Sequence, residues 1–519
     1  MIRLAALMLM IITVMSPALA SGKQAFSQNE KTTIIFFDTI RENPPMLRGF
    51  LAAMPKGADL HSHLSGAVYA EDYLQWAIED NRCINTRTFE ISAATEKTEK
   101  SGKVRTLCAE GSVPATNMAQ DTGLYSDAIN ALSTRNVQYT SAMWGHDHFF
   151  DTFGKFGASQ QGRQTDMLAS VVRRAAAQNI MHLELMASIY PPDIKAIATS
   201  VGWNGDAAAT FAALKQAGLF KTIPASVAAR RQLLDDLKSR LNEKEAATGV
   251  DFIQQVIRTM PPEIVFAQIA YSFEMVRQDP DTVAFNLVAP EDNPVALRDY
   301  SLHMSMIDAL YSLPEYRDTA ITLHAGELTM GLVPPRELAF HIREAVEKGH
   351  ARRIGHGVDI MYEKSPFELL RSLQSKPVAV EICLSSNDRI LNVSGAEHPF
   401  PIYRQFGVPV VLNTDDEGVS RIDLTNEYVR AAKDYDLGYS EVKTLSRNSL
   451  EYSFLPGQSL WDDPSAFTMA NACKDSLIGH ETAPCTKLLN ESEKARAQWN
   501  LEIAFSEFER EVSESMANR

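Results

Sequence analysis

An α/β fold of the (β/α)₈, TIM-type barrel class is what this 519-residue sequence predicts, with a long helical insertion after strand 1 and extra terminal helices. Three observations lead there. Eight short apolar runs rich in β-branched residues alternate with helix-like segments. The runs are nearly continuous in hydrophobicity, as strands of a parallel sheet covered on both faces are. The chemistry-bearing polar residues fall at the carboxyl ends of the runs, where barrel strands build active sites. An open, doubly wound sheet is the alternative that the same alternation allows.

In chain order the runs are GADLHSH (57–63), NIMHLELMAS (179–188), EIVFAQIAYS (263–272), TVAFNLVAP (282–290), TAITLHAGE (319–327), ARRIGHG (351–357), PVAVEICLSS (377–386) and PVVLNTDD (409–416). The first crossover exceeds a hundred residues, which implies an insert at about 68–178 on the side of the barrel that carries the pocket. The final fifty residues, ending in KARAQWNLEIAFSEFEREVSE, have the apolar spacing of a helix packed on the barrel exterior. Residues 21–54 read as an N-terminal helical extension, and 55–519 as a single barrel domain. The stretch TTIIFFDTIRENPPMLRGF in that extension is apolar enough to make a homodimer an expectation.

Residues 1–20, MIRLAALMLMIITVMSPALA, combine an early arginine, a dozen apolar residues and a small-x-small ending. That is the pattern of a cleavable export signal, too short to span a bilayer. The expectation is an exported protein, periplasmic or secreted, with no membrane attachment after cleavage. Five cysteines suit that compartment. Cys83 with Cys108 and Cys473 with Cys485 would each close a short surface loop, leaving Cys383 as a buried thiol. With 50 basic against 65 acidic residues and a net charge of −15, a nucleic-acid partner is disfavoured and a small molecule is preferred.

His61 and His63 end the first run, His324 and Glu327 the fifth, His356 the sixth, and Asp415 and Asp416 the eighth. Barrel closure would gather these ends at one mouth. His61 and His63, two apart on a strand, share a face. With His324 and Asp415 they form an N₃O set that suits one Zn²⁺ with a position left for water, whose pKa the ion would bring towards ~7. Each motif alone has a blander reading: His-x-His bonded to loop carbonyls, NTDD as a turn or helix cap. Their shared placement favours the metal site.

The ordered motifs MPKGADLHSHLSGA, LHAGE, RIGHG, EICLSSN, LNTDDEGV and NSLEYSFL, spread over Pro55 to Leu455, resemble those of the adenosine deaminase family of metal-dependent amidohydrolase barrels. The export signal, MPKG and the long insert are more similar to its secreted, growth-factor-related members. The resemblance implies one Zn²⁺ per subunit held by His61, His63, His324 and Asp415. It further implies that Glu327 protonates purine N1, and that His356 orients or deprotonates the metal water and stabilises developing charge. Asp416 would accept a hydrogen bond from the purine at N7. Gly326 and Gly355 would let the backbone approach substrate, and Ala289 would offer its N–H to N3. Two departures stand out. Ser65 replaces an aspartate expected near the ribose 5′ hydroxyl, and Asn286 and Ala289 replace Asp and Gly. The segment MWGHDHFFDTF, with Trp144, reads either as an aromatic lid over the substrate or, slightly preferred, as a core-facing stripe.

The expected activity is therefore hydrolytic deamination of adenosine, with 2′-deoxyadenosine a second substrate, to inosine and ammonia. Another 6-aminopurine (adenine, AMP or a 5′-modified adenosine) is the alternative within the same chemistry. A non-catalytic binding or signalling protein on the same barrel is the alternative of another class.

Overall fold

The computed structural model describes residues 27–98, 104–137 and 142–518; within these, the side chains of 96–98, 104–106 and 142–144 are not described. The export-signal reading therefore lies outside the described residues, as does the Trp144 side chain.

Eight parallel strands form the core: β1 Lys56–His63, β2 Ile180–Ala187, β3 Gly249–Ile257, β4 Thr282–Val288, β5 Thr322–Ala325, β6 Arg353–His356, β7 Ala379–Ile382 and β8 Val410–Leu412. They pair in chain order as β1 to β4 and as β5 to β8. Parallel bridges between Phe285 and Ile321 and between Ser62 and Asp415 join the two halves into a closed barrel. Closure excludes the doubly wound sheet, because an open sheet has two unpaired edges and this one has none. The second bridge also draws β1 and β8 together at the metal-ligand positions: Asp415 N donates to His61 O at 2.8 Å and His63 N to Asp415 O at 3.1 Å.

The third strand is not the one the sequence predicts. EIVFAQIAYS lies inside the helix Pro262–Gln278, and the strand is the upstream segment GVDFIQQVI, Gly249–Ile257. The helix misleads because every residue from Ile264 to Phe273 is buried, so its polar face, and with it the 3.6-residue period, is missing. The strand misleads in the opposite sense, since it carries Gln254 and Gln255, with Gln254 fully buried. The insert after β1 is also less helical than expected. It holds a three-stranded antiparallel sheet (Cys83–Asn85, Ile91–Ser92, Ser112–Pro114) and the hairpin Thr95–Thr98 with Val104–Leu107.

The N-terminal helices Gln28–Ile40 and Pro44–Ala53 pack with the C-terminal helix Glu493–Ala517 at the barrel's lower end. The Phe50 ring lies 5.3 Å from that of Phe37 and 5.0 Å from that of Phe508. Phe37, Leu47, Phe50 and Leu51 are all buried, which accounts for the apolar pattern of this segment within one chain. Under them Lys56, fully buried, donates to the carbonyls of Leu51, Met54 and Gln178 at 2.5, 3.2 and 2.9 Å. Disulfides join Cys83 to Cys108 and Cys473 to Cys485, and Cys383 is a buried thiol. Among the described residues no helix is long and apolar enough to cross a membrane.

Candidate metal and catalytic site

His61 and His63 leave the end of β1 on one face, and His324 leaves β5 opposite them. His324 Nε2 is 3.1 Å from His61 Nε2 and 3.3 Å from His63 Nε2. Asp415 Oδ1 lies 3.3 Å from His63 Nε2 and 3.6 Å from His61 Nε2. All four groups are buried and their ligand atoms fall within 4.8 Å of one another. Three ring nitrogens pressed this close repel unless something positive lies between them.

The surrounding bonds fit a cation. His61 Nδ1 faces Glu381 Oε2 at 2.6 Å and His324 Nδ1 faces Asn286 Oδ1 at 3.0 Å, so both rings carry their proton on Nδ1 and turn a lone pair inward. His63 Nδ1 faces Gln255 Nε2 at 2.8 Å; turning that amide over would present its oxygen instead and give the third ring the same orientation. Burial disfavours charge on His61, yet Asp415 and Glu381 outweigh it and raise this imidazole to about 10. Burial lowers His63 to about 4 and leaves His324 neutral. Without an ion the charge on His61 is balanced by Asp415, and a bound cation would take the place of that proton. The N₃O donor set suits Zn²⁺.

Beside the ligands, Glu327 Oε1 lies 3.5 Å from His356 Nε2, which is 4.0 Å from Asp415 Oδ2. Burial, then Asp415 and Glu291, push the Glu327 carboxyl well above its usual range, which favours its protonated form. Burial and the adjacent Asp415 do the same to Asp416. Asp415 itself is held well below its usual range, since the surrounding imidazoles overcome the effect of burial. Glu327 Oε1, His356 Nε2 and Asp416 Oδ1 are buried without a hydrogen-bond partner.

Glu327 and Asp416 border a cavity of about 360 Å³ together with His63, His324 and Asp415; Ser65 and Ala289 are on its wall. Gly326 is not: its N–H is committed to Glu291 Oε1 at 3.1 Å, and it forms the turn behind the cavity with φ +76°. Gly355 makes room for the metal ligand rather than the substrate, because a Cβ there would meet His61 Cε1 at 2.8 Å. Ala289 sits at φ +85°, where glycine is unstrained and alanine is not. The buried Arg258 guanidinium holds the Ala289 carbonyl at 2.8 Å. From the insert helix Ala142–Thr152 and the residue after it, Phe149, Phe150 and Phe153 reach the same wall, the aromatic-lid alternative. His146 anchors that helix by an ion pair to Asp292 at 3.0 Å.

Several participants escape a reading of strand-end motifs. Gln255 was hidden with the missed third strand. Glu381 is a lone carboxylate in the apolar run VAVEICLSS, a signal available in the sequence. Glu291, buried and bonded by His341 Nδ1 at 2.5 Å, accepts from Gly326 N and from Glu327 N at 2.9 Å, so it fixes the turn that aims Glu327. Glu291→Gln is expected to lower kcat about 10²-fold, the cost of a misplacement near 1 Å, with KM within a few-fold of the parent; an unchanged kcat would refute this role.

Burial pushes the Glu381 carboxyl up, but the Arg353 guanidinium and His61 outweigh it and hold it at about 2. A carboxylate depressed from 4.5 stabilises the fold fully above 4.5 and loses that contribution as pH falls towards 2. The loss is roughly 3 kcal/mol. The melting temperature is expected to drop steeply between pH ~4.5 and ~2, and less steeply in Glu381→Gln; parallel profiles would contradict it.

Comparison with known proteins gives three findings. Residues 224–460 match the family described as adenosine deaminase. The adenosine deaminase of Clostridium acetobutylicum is 35% identical over 154 residues, covering 30% of this chain and 42% of that protein. That of Enterococcus faecalis is 38% identical over 136 residues, 26% of this chain and 37% of that protein. The chain spans about two fifths of the length of these curated relatives. In fold, it is similar to the apo N6-methyl-AMP deaminase from Arabidopsis thaliana, with TM-score 0.50 and 19% identity over 79% of this chain and 94% of that one.

Proposed function

We propose, on the match of residues 224–460 to the family described as adenosine deaminase, that this chain is an exported Zn²⁺-dependent hydrolase converting adenosine to inosine and ammonia. One observation carries the reading. Three buried polar atoms without partners, on Glu327, His356 and Asp416, stand beside four converging ligand atoms at a cavity the size of a small molecule.

His61, His63, His324 and Asp415 would hold the ion, which when bound supplies a water already close to ionised at neutral pH. Glu327, kept protonated by its burial, hands its proton to purine N1 as the oxygen attacks C6. Adding that proton at N1 lets the ring accept the electron pair that the attack displaces. His356 directs its Nε2 at the attacking oxygen. The C6–N bond then breaks and ammonia leaves once the exocyclic nitrogen has gained a proton. Asp416 would meet the purine at N7. A neutral purine has only a lone pair at N7, so the carboxyl must donate this hydrogen bond rather than accept it, and the burial that raises Asp416 favours the protonated form this needs.

The wall also bears on the substrate. Among the described lining residues there is no lysine or arginine, while Glu327, Asp415 and Asp416 are all acidic. A 5′-phosphate would find no cationic side chain among these to meet it, which is costly, so a neutral nucleoside is favoured over AMP. The three phenylalanines suit the flat face of a base and the carbon face of a sugar.

The test is a rate panel of adenosine, 2′-deoxyadenosine, adenine and AMP, before and after chelation, with metal analysis. Expected are the highest kcat/KM for the nucleosides, loss of activity with chelator, restoration by Zn²⁺ and one ion per chain. Faster turnover of adenine or AMP would overturn the substrate, and activity indifferent to chelation would overturn the metal.

A further inference from the structure

His356 is linked to a backbone amide through two further buried side chains, and the direction of every bond in that relay follows from one end. The amide of Phe400, first residue of the helix Phe400–Gln405, has no acceptor within its helix. It donates to His398 Nδ1 at 3.1 Å. An N–H can only donate, so His398 Nδ1 carries a lone pair and its proton is on Nε2. That Nε2 lies 3.0 Å from Asn387 Oδ1, which must accept. The orientation of the Asn387 amide is thereby fixed, and its Nδ2 donates to His356 Nδ1 at 3.0 Å. All four residues are at most 2% exposed, so water does not offer a substitute partner.

The consequence reaches the cavity. With Nδ1 occupied as an acceptor, neutral His356 carries its proton on Nε2, the atom beside Glu327 and Asp415. A proton taken up by His356 would have to set an Nδ1–H against the Asn387 NH₂, or turn that amide and set its NH₂ against the His398 N–H. Either leaves two donors facing each other in a dry site.

We propose that Asn387 and His398 are positioning residues that lock His356 in its Nε2–H form, so that His356 donates a hydrogen bond to the attacking oxygen and does not remove its proton. The inference rests on the deaminase reading above and narrows the part His356 plays in it. Protons released during attack go instead to the remaining acceptor at that oxygen, the ionised Asp415 carboxylate, whose Oδ2 is 4.0 Å from His356 Nε2. From there one of the attacking water's two protons passes to the departing amine and the other returns to Glu327, whose own proton has gone to N1, so the turnover balances without His356 as a base.

Asn387→Asp tests this at constant shape. A carboxylate at 387 accepts from both rings, moves the His356 proton to Nδ1 and turns a lone pair towards the cavity. If His356 is a donor, kcat falls tenfold or more with KM little changed. If it is a base, the variant supplies the lone pair that a base needs, and a kcat within tenfold of the parent or above it overturns the proposal. Neutron diffraction on the unsubstituted zinc-loaded protein gives a reading that needs no variant: deuterium on His356 Nε2 and none on Nδ1 is expected, and the reverse overturns the proposal. Failure of the parent protein to deaminate any 6-aminopurine would instead overturn the reaction, and with it the role given to His356, while the deuterium positions would still report whether the relay locks the ring.

Discussion

Glu327→Gln is expected to reduce kcat for adenosine deamination by about 10³-fold, within the range that a positioned general acid contributes, while metal content and melting temperature stay near those of the parent. Glutamine keeps the volume and can still offer an N–H to purine N1, so binding should weaken only a few-fold. It cannot give up a proton. Glu327 meets the requirement for such an acid because its carboxyl is fully buried next to the ionised Asp415 and Glu291. Steady-state rates at pH 7 for both proteins settle the matter; a variant within tenfold of the parent would move the acid role elsewhere.

Asp415→Asn is expected to act on the ion itself. Asparagine is one of the few residues that tolerates the left-handed backbone at this position, φ +58°, and it can still accept from Ser386 Oγ, which lies 2.6 Å from Asp415 Oδ2. The strand end should therefore survive. What disappears is the only anionic ligand, leaving three neutral nitrogens to hold a divalent cation. Zinc per chain after dialysis is expected to fall below about a tenth of the parent's, and kcat/KM by at least about 10³-fold, since an unactivated water is a far poorer nucleophile at neutral pH. Full zinc occupancy in the variant would show that the three histidines suffice and would remove Asp415 from the ligand set.

Seven of the eight barrel strands are legible in the sequence because parallel strands buried on both faces read as largely apolar runs. β3 is the exception for a chemical reason: Gln254 and Gln255 both have polar partners, Gln254 in the loop after β2 and Gln255 at His63. The helix that follows β3 is so deeply buried that its sequence mimics a strand. The ligand and acid-base positions are readable because each stands at the end of an apolar run, where a charged or imidazole side chain is conspicuous. Their supporting partners are not. Glu291, Asn387 and His398 sit in irregular segments, and what distinguishes them is the group each one touches across the fold. Glu381 could have been found, as a carboxylate in the middle of an apolar strand. The bond direction at Asp416 was out of reach for a different reason, since the sign of its protonation depends on burial and on the neighbouring Asp415.

Positive φ at Ala289, His356 and Asp415 gives the mouth of this barrel an unusual tolerance profile. Three bordering positions on different strands accept asparagine or glycine readily and reject valine, isoleucine and threonine on backbone grounds alone. Directed evolution of this pocket would therefore yield folded variants mainly from changes at Ser65, Phe150 and Phe153. Libraries randomised at the three bent positions would lose most members before chemistry could select among them.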